Sequence, residues 1–200
     1  MTTDAPPRGL TPSQTVGPFF AYVLTPKAYG YPEIVTHDLA TPDAFGDRIR
    51  IEGYVIDGDG EPIVDAMLEI WQPDGQGRFA GSGEEVGQSN SAFTGFGRTE
   101  VDSNGFYGFM TVRPGEVSWD GKPQAPHANV SIFARGLLKR LFTRIYFEGE
   151  AANADDPVLA LVPEARRGTL IAKRRERGGD IVYSFDIRLQ GEGETVFFEA

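Results

Sequence analysis

From Arg48 onward the chain alternates, with Ile49, Ile51, Gly53 and Val55 on one side and Arg48, Arg50, Glu52 and Tyr54 on the other. A period of two marks a half-buried strand. Asp57-Gly58-Asp59-Gly60 supplies turn residues suited to positive φ, and a strand is predicted beyond it over 67–72. Further strands are predicted over 106–112, 128–134, 140–147, 169–175 and 181–189. Short strands separated by turn clusters point to a mainly β fold, an antiparallel β-sandwich. Asp155-Asp156-Pro157 ahead of Val158-Leu-Ala-Leu-Val162 reads as a capped helical turn with proline near its first position, one of one or two short helices.

Residues 1 to about 45 follow neither period and are rich in Pro, Thr and Gly. Phe19, Phe20, Tyr22, Val23, Tyr29 and Tyr31 argue against a solvated tail, which is poor in aromatics. The expected division is an ordered arm over 1–45 lying on another surface and a single core domain over 46–200.

Two hundred residues, 40% of them apolar, suffice for one such domain. The formal charge of −10 argues against a nucleic-acid partner. No apolar run is long enough to cross a bilayer, and the first eight residues lack the apolar core of a secretion signal. With zero cysteines the expectation is a cytoplasmic protein without disulfides or thiolate metal sites. Lys173-Arg174-Arg175-Glu176-Arg177 reads as the solvated edge of a strand or its turn. The negative field would repel an anionic aromatic acid unless cations stand locally where it binds.

The block from Ile51-Glu-Gly53 through Asp57-Gly-Asp-Gly60, Leu68-Glu69-Ile70-Trp71-Gln72, Gly77 and Phe79 resembles the signature of the intradiol ring-cleavage dioxygenases. Thr11-Pro-Ser-Gln-Thr15-Val-Gly17-Pro18-Phe19, Gly97-Arg98-Thr99, Arg113-Pro114-Gly115, Ala125-Pro-His127, Leu141–Phe147 and Tyr183–Ile187 extend the resemblance over nearly the whole chain. Phe133-Ala-Arg135-Gly136 and the closing Gly191-Glu-Gly-Glu-Thr195 are most similar to the alpha chains found within that family, which pair with a homologous beta chain.

The resemblance implies chemistry on a non-haem ferric ion held by two tyrosines and two histidines, the histidines forming His-x-His on one strand. Here the matching positions are His127 and Asn129. A tyrosine is missing after Arg113-Pro-Gly115, where Glu116-Val117-Ser118 follows, and from the window 81–96. The expectation is therefore no catalytic residue and no metal on this chain, with degenerate positions at His127, Asn129 and Val117. The Fe(III) is expected on the beta chain of a hetero-oligomer that binds a catechol carboxylate. For His127 itself, a histidine hydrogen-bonded at a strand end is favoured over a ligand.

Alternation places His127, Asn129, Ser131, Phe133 and Arg135 on one face and Ala128, Val130, Ile132 and Ala134 inward. Arg135 lies about 26 Å along an extended strand from His127, beyond the roughly 7 Å reach of an arginine. It is either a surface ion pair or a cation at a subunit junction, and the resemblance favours the junction, near substrate held by the partner's iron. Thr15, Gly17, Pro18 and Phe19 are expected, by the same resemblance, to form part of the substrate cavity wall, with Phe19 standing where some alpha chains carry tyrosine. The alternative to a subunit of this enzyme is a non-enzymatic β-sandwich module of transthyretin-like type, which would not need the aromatic arm. A self-sufficient dioxygenase is disfavoured by the missing ligands.

Overall fold

The computed structural model describes residues 19–80 and 92–199, with side chains from residue 22 onward. Its strands are β1 (Arg48–Ile56), β2 (Met67–Trp71), β3 (Phe96–Glu100), β4 (Phe106–Val112), β5 (Val117–Trp119), β6 (Lys122–Gln124), β7 (His127–Phe133), β8 (Leu141–Phe147), β9 (Ile171–Arg177), β10 (Asp180–Ser184) and β11 (Ile187–Arg188). Two α-helices, α1 (Phe19–Leu24) and α2 (Glu164–Arg167), and a few 3-10 turns complete the described elements.

The strands form two halves, β4-β1-β10-β9 and β8-β7-β2-β3, joined where β8 meets β9 over only Tyr146↔Ile171 and Phe147↔Ala172. Ile49, Ile51, Val55 and Phe109 from one half share a single core with Leu68, Ile70, Val130, Ile132 and Ile145 from the other. The expected sandwich is present, but its pairing is mixed. β1 runs parallel to β10 and β11, and β8 runs parallel to β9. Alternation reports which face is buried and not which neighbour pairs, so long crossovers such as 148–170 were free to return the chain in parallel.

The strand predicted over 181–189 breaks at Phe185, where the chain presses against β1. Phe185 N donates to Glu52 O at 2.8 Å, and Asp186 Oδ1 accepts from Tyr54 N at 3.0 Å. β9 begins at Ile171 instead of Thr169 because 168–170 form a 3-10 turn. The Asp155–Val162 turn is shorter than predicted, a 3-10 helix over Leu159–Leu161. Asp156 holds the turn that leads into it, its Oδ1 accepting from Val158 N at 2.9 Å and Leu159 N at 2.7 Å. The basic cluster lies on the exposed face of β9, and Arg177 forks onto Glu52 at 2.9 and 2.7 Å.

Within the segment read as an arm, His37 O accepts from Met110 N at 2.9 Å and Leu39 N donates to Met110 O at 2.8 Å. Leu39 and Ala40 are buried in the main core.

Gly53 marks the closest approach of β1 to the β10–β11 break. A Cβ there would stand 1.9 Å from Phe185 O and 2.5 Å from its carbonyl carbon, both backbone atoms that cannot turn aside. Gly53→Ala is expected to destabilise the fold by about 2–3 kcal/mol, lowering the thermal midpoint by about 5–10 °C. An unchanged midpoint in a melting experiment would show that the break in the strand is not rigid.

Candidate functional site

Antiparallel register between β7 and β8 sets His127 opposite Tyr146 and Asn129 opposite Arg144, while β2 sets Trp71 beside Asn129. Ala128, Val130, Ile132 and Ile145 point into the main core, so His127, Asn129, Arg144 and Tyr146 share the outer face. That face is covered by a second apolar cluster of Ala125, Tyr146, Leu159, Val162 and Leu170. His127 is consequently only 2% exposed.

Polar groups under this cover form one network. Asp156, itself buried, accepts from Tyr146 Oη at 2.9 Å through Oδ1 and from Ala125 N at 2.9 Å through Oδ2, besides its bonds to Val158 N and Leu159 N. Arg144 Nη1 donates to Gln124 Oε1 at 3.1 Å and approaches Tyr146 Oη at 3.5 Å. His127 Nδ1 donates to Ala125 O at 2.8 Å. Asn129 Oδ1 is buried without a hydrogen-bond partner. Val117 opens β5 opposite Gln124 across the β5–β6 hairpin, which brings that position to the margin of the same network.

Burial pushes the His127 imidazole down to about 4, the positive charge of Arg144 adds to the shift, and the Ala125 carbonyl and Asp156 oppose it. Burial also holds the Tyr146 hydroxyl well above its ordinary value, so it remains a phenol and not a phenolate. A ferric ion calls for anionic oxygen donors together with imidazoles. The network offers one imidazole, a neutral amide at Asn129, an aliphatic side chain at Val117, a cation at Arg144, a protonated phenol at Tyr146 and the Asp156 carboxylate, whose two oxygens already accept from Tyr146, Val158, Leu159 and Ala125. This donor set does not fit the metal. The window read for the second tyrosine falls largely on 81–91, outside the described residues.

Arg135 lies beyond the far end of β7, well separated from His127. Its side chain is 88% exposed and ion-paired with Asp65. It borders a groove of about 510 Å³ with Tyr29, Val64, Asp65, Leu137 and Arg140. Of the remaining predicted contacts, Thr15, Gly17 and Pro18 lie outside the described residues, and Phe19 begins α1 with its side chain likewise outside the description. The structure thus gathers His127, Asn129 and Val117 at one end of β7 and sets Arg135 at the other.

Arg144, Gln124 and Asp156 were not singled out for this pocket from the sequence. The available signal was alternation in β8, which puts Phe142, Arg144 and Tyr146 on one face; it needed the register with β7 before it meant anything.

Residues 17–191 match the family model described as Dioxygenase. The chain is 50% identical over 195 residues to the protocatechuate 3,4-dioxygenase alpha chain of Burkholderia cepacia, covering 94% of this chain and 96% of that one. It is 46% identical to the alpha chain of Pseudomonas putida, with the same coverage of each. The beta chain of Burkholderia cepacia is 34% identical over 76% of this chain and 68% of its own length. Among solved structures, catechol 1,2-dioxygenase from Acinetobacter sp. ADP1 aligns with a TM-score of 0.62 at 19% identity, covering 82% of this chain and 60% of that one, a likeness of fold.

The buried histidine has a consequence for stability. With a folded value near 4 against an ordinary 6.5, unfolded His127 takes up a proton that the folded chain refuses between those pH values. Stability is therefore full above pH 6.5 and is lost as pH falls towards 4, by on the order of 3 kcal/mol. Denaturant midpoints measured across this range should fall more steeply in the wild type than in His127→Gln. Parallel curves would place the imidazole in solvent.

Proposed function

The chain belongs to the intradiol ring-cleavage dioxygenase family, and we propose that it acts there as the alpha subunit of protocatechuate 3,4-dioxygenase. It completes the active site of an iron(III)-bearing beta subunit that cleaves protocatechuate with O2 to 3-carboxy-cis,cis-muconate. The observation that carries this reading is the combination of near full-length likeness to alpha chains with a pocket whose donors do not suit a ferric ion. The catalytic iron belongs to the partner. The assembly is a cytoplasmic hetero-oligomer of alpha-beta pairs, consistent with a chain that holds no cysteine. Among the described residues, no helix is long and apolar enough to cross a membrane.

Arg135 is this chain's contribution of charge to the substrate. Its guanidinium is solvent-facing and held by a single exposed ion pair to Asp65, an interaction worth little in water. A substrate carboxylate delivered at a subunit junction competes for it on favourable terms, because two parallel N–H donors match a planar carboxylate. On a chain carrying ten net negative charges, a local cation is also what lets an anionic acid approach. Thr15, Gly17, Pro18 and Phe19 supply the wall of the same cavity, glycine and proline giving a stiff backbone with little bulk against an aromatic ring.

Co-expression with the beta chain is expected to give an active, coloured hetero-oligomer, whereas the chain expressed alone should contain no iron and show no phenolate-to-iron absorption. A chain that stays monomeric beside the beta subunit would refute the pairing. In the hetero-oligomer, Arg135→Ala should raise the KM for protocatechuate about tenfold, the scale of one lost charge-assisted contact, with iron content unchanged. Steady-state kinetics indistinguishable from wild type would remove Arg135 from the substrate site.

A further inference from the structure

The pocket around His127 poses a separate question. Its histidine is still oriented as a ligating histidine would be, with Nδ1–H tied to the Ala125 carbonyl so that the other ring nitrogen carries the lone pair. Loss of the companion donors weakens a metal site but does not close it. What closes it lies directly across the ladder. Arg144 faces Asn129 in register, two positions along the ladder from the His127↔Tyr146 pair, which sets it diagonal to His127 within reach of a long side chain.

We propose that Arg144 is an internal cation standing in the metal's place, which organises the oxygens of the pocket and bars metal ions from His127. The guanidinium donates to Gln124 Oε1 at 3.1 Å and lies 3.5 Å from Tyr146 Oη, and Tyr146 in turn donates to Asp156. Gln124 and Tyr146 belong to two different elements, β6 and β8, so one side chain ties the hairpin wall to the sheet floor as a multidentate ion would. Asn129 Oδ1, the buried acceptor without a partner on the adjoining strand, makes the surroundings more favourable still to a positive group. Under a partly apolar cover, the positive guanidinium disfavours a second cation beside it, against the opposing charge of the Asp156 carboxylate.

The inference rests on assigning the iron to a partner chain for its biological sense, but its test uses the full-length chain alone and succeeds or fails without the pairing. A second imidazole is introduced by Asn129→His, on the same strand face as His127, and Zn2+ binding is measured by calorimetric titration. Asn129→His alone, and Asn129→His with Arg144→Lys, are expected to bind Zn2+ no better than wild type. Asn129→His with Arg144→Gln should bind at least about tenfold more tightly, and adding His127→Ala should abolish the gain. Equal affinity with arginine or glutamine at position 144 would overturn the proposal, and so would a lack of Zn2+ binding in every variant, since charge would then not be the barrier. Should the double variant fail to fold, Asn129→His alone decides: tight Zn2+ binding with Arg144 in place would show that the guanidinium does not bar a metal.

Discussion

The register between β7 and β8 is the constraint on which both the core and the pocket depend. A slip of one residue would turn Ala128, Val130 and Ile132 out of the main core and His127 and Asn129 into it. The two faces enforce the same answer by different means. On the inner face, apolar burial selects the register; on the outer face, Asp156 binds Tyr146, the Ala125 amide and the start of its own 3-10 turn. Each hydrogen bond to a buried carboxylate is stronger than a neutral one, and leaving any of these groups unpaired under the cover would cost about 1–3 kcal/mol. Wrong register is therefore penalised twice.

The same sheet separates two chemical environments along one strand. At the end that begins with His127, cover from the second apolar cluster makes charge expensive, so the histidine stays neutral and the one cation present is hydrogen-bonded. At the other end, Arg135 stands in water, where its ion pair with Asp65 is weak and exchangeable. The half-buried Arg144 is tied into a hydrogen-bonded network, whereas the guanidinium of Arg135 faces solvent. Arg144 lies on β8 and Arg135 just beyond the end of the adjacent β7, and it is their exposure that gives the two arginines different surroundings.

Much of this was legible in the chain. The period of two located β1, β2, β4, β7 and β8 within a residue or two, because each buries one face and the pattern reports burial directly. The short hairpin β5–β6 and strand β3 escaped, since a strand of three residues or a glycine-containing stretch carries no such period. The parallel pairings of β1 and β8 escaped for a deeper reason: they depend on which distant segments meet, and a local pattern holds no record of that. The shared face of His127 and Asn129 was legible from alternation along β7. What joins it there was not, because Arg144, Gln124 and Asp156 lie far apart in sequence and become one network only in the folded register.

That network bears on how the cover over the outer face is ordered. A site organised by a bound ion couples folding to metal supply, since ligand loops that lose the ion also lose the interactions that order them. Here the loops over the outer face are ordered by groups the chain supplies for itself: the Asp156 carboxylate, the Tyr146 phenol and the Arg144 guanidinium. The cover therefore forms whether or not metal is present, and the outer face of the sheet keeps a defined shape. At this end of the strand, the network of Asp156, Tyr146, Arg144 and Gln124 orders the cover over the outer face of the sheet. At the opposite end, the Arg135 guanidinium stays exposed beside Asp65, a positive group in the field of a chain of formal charge −10.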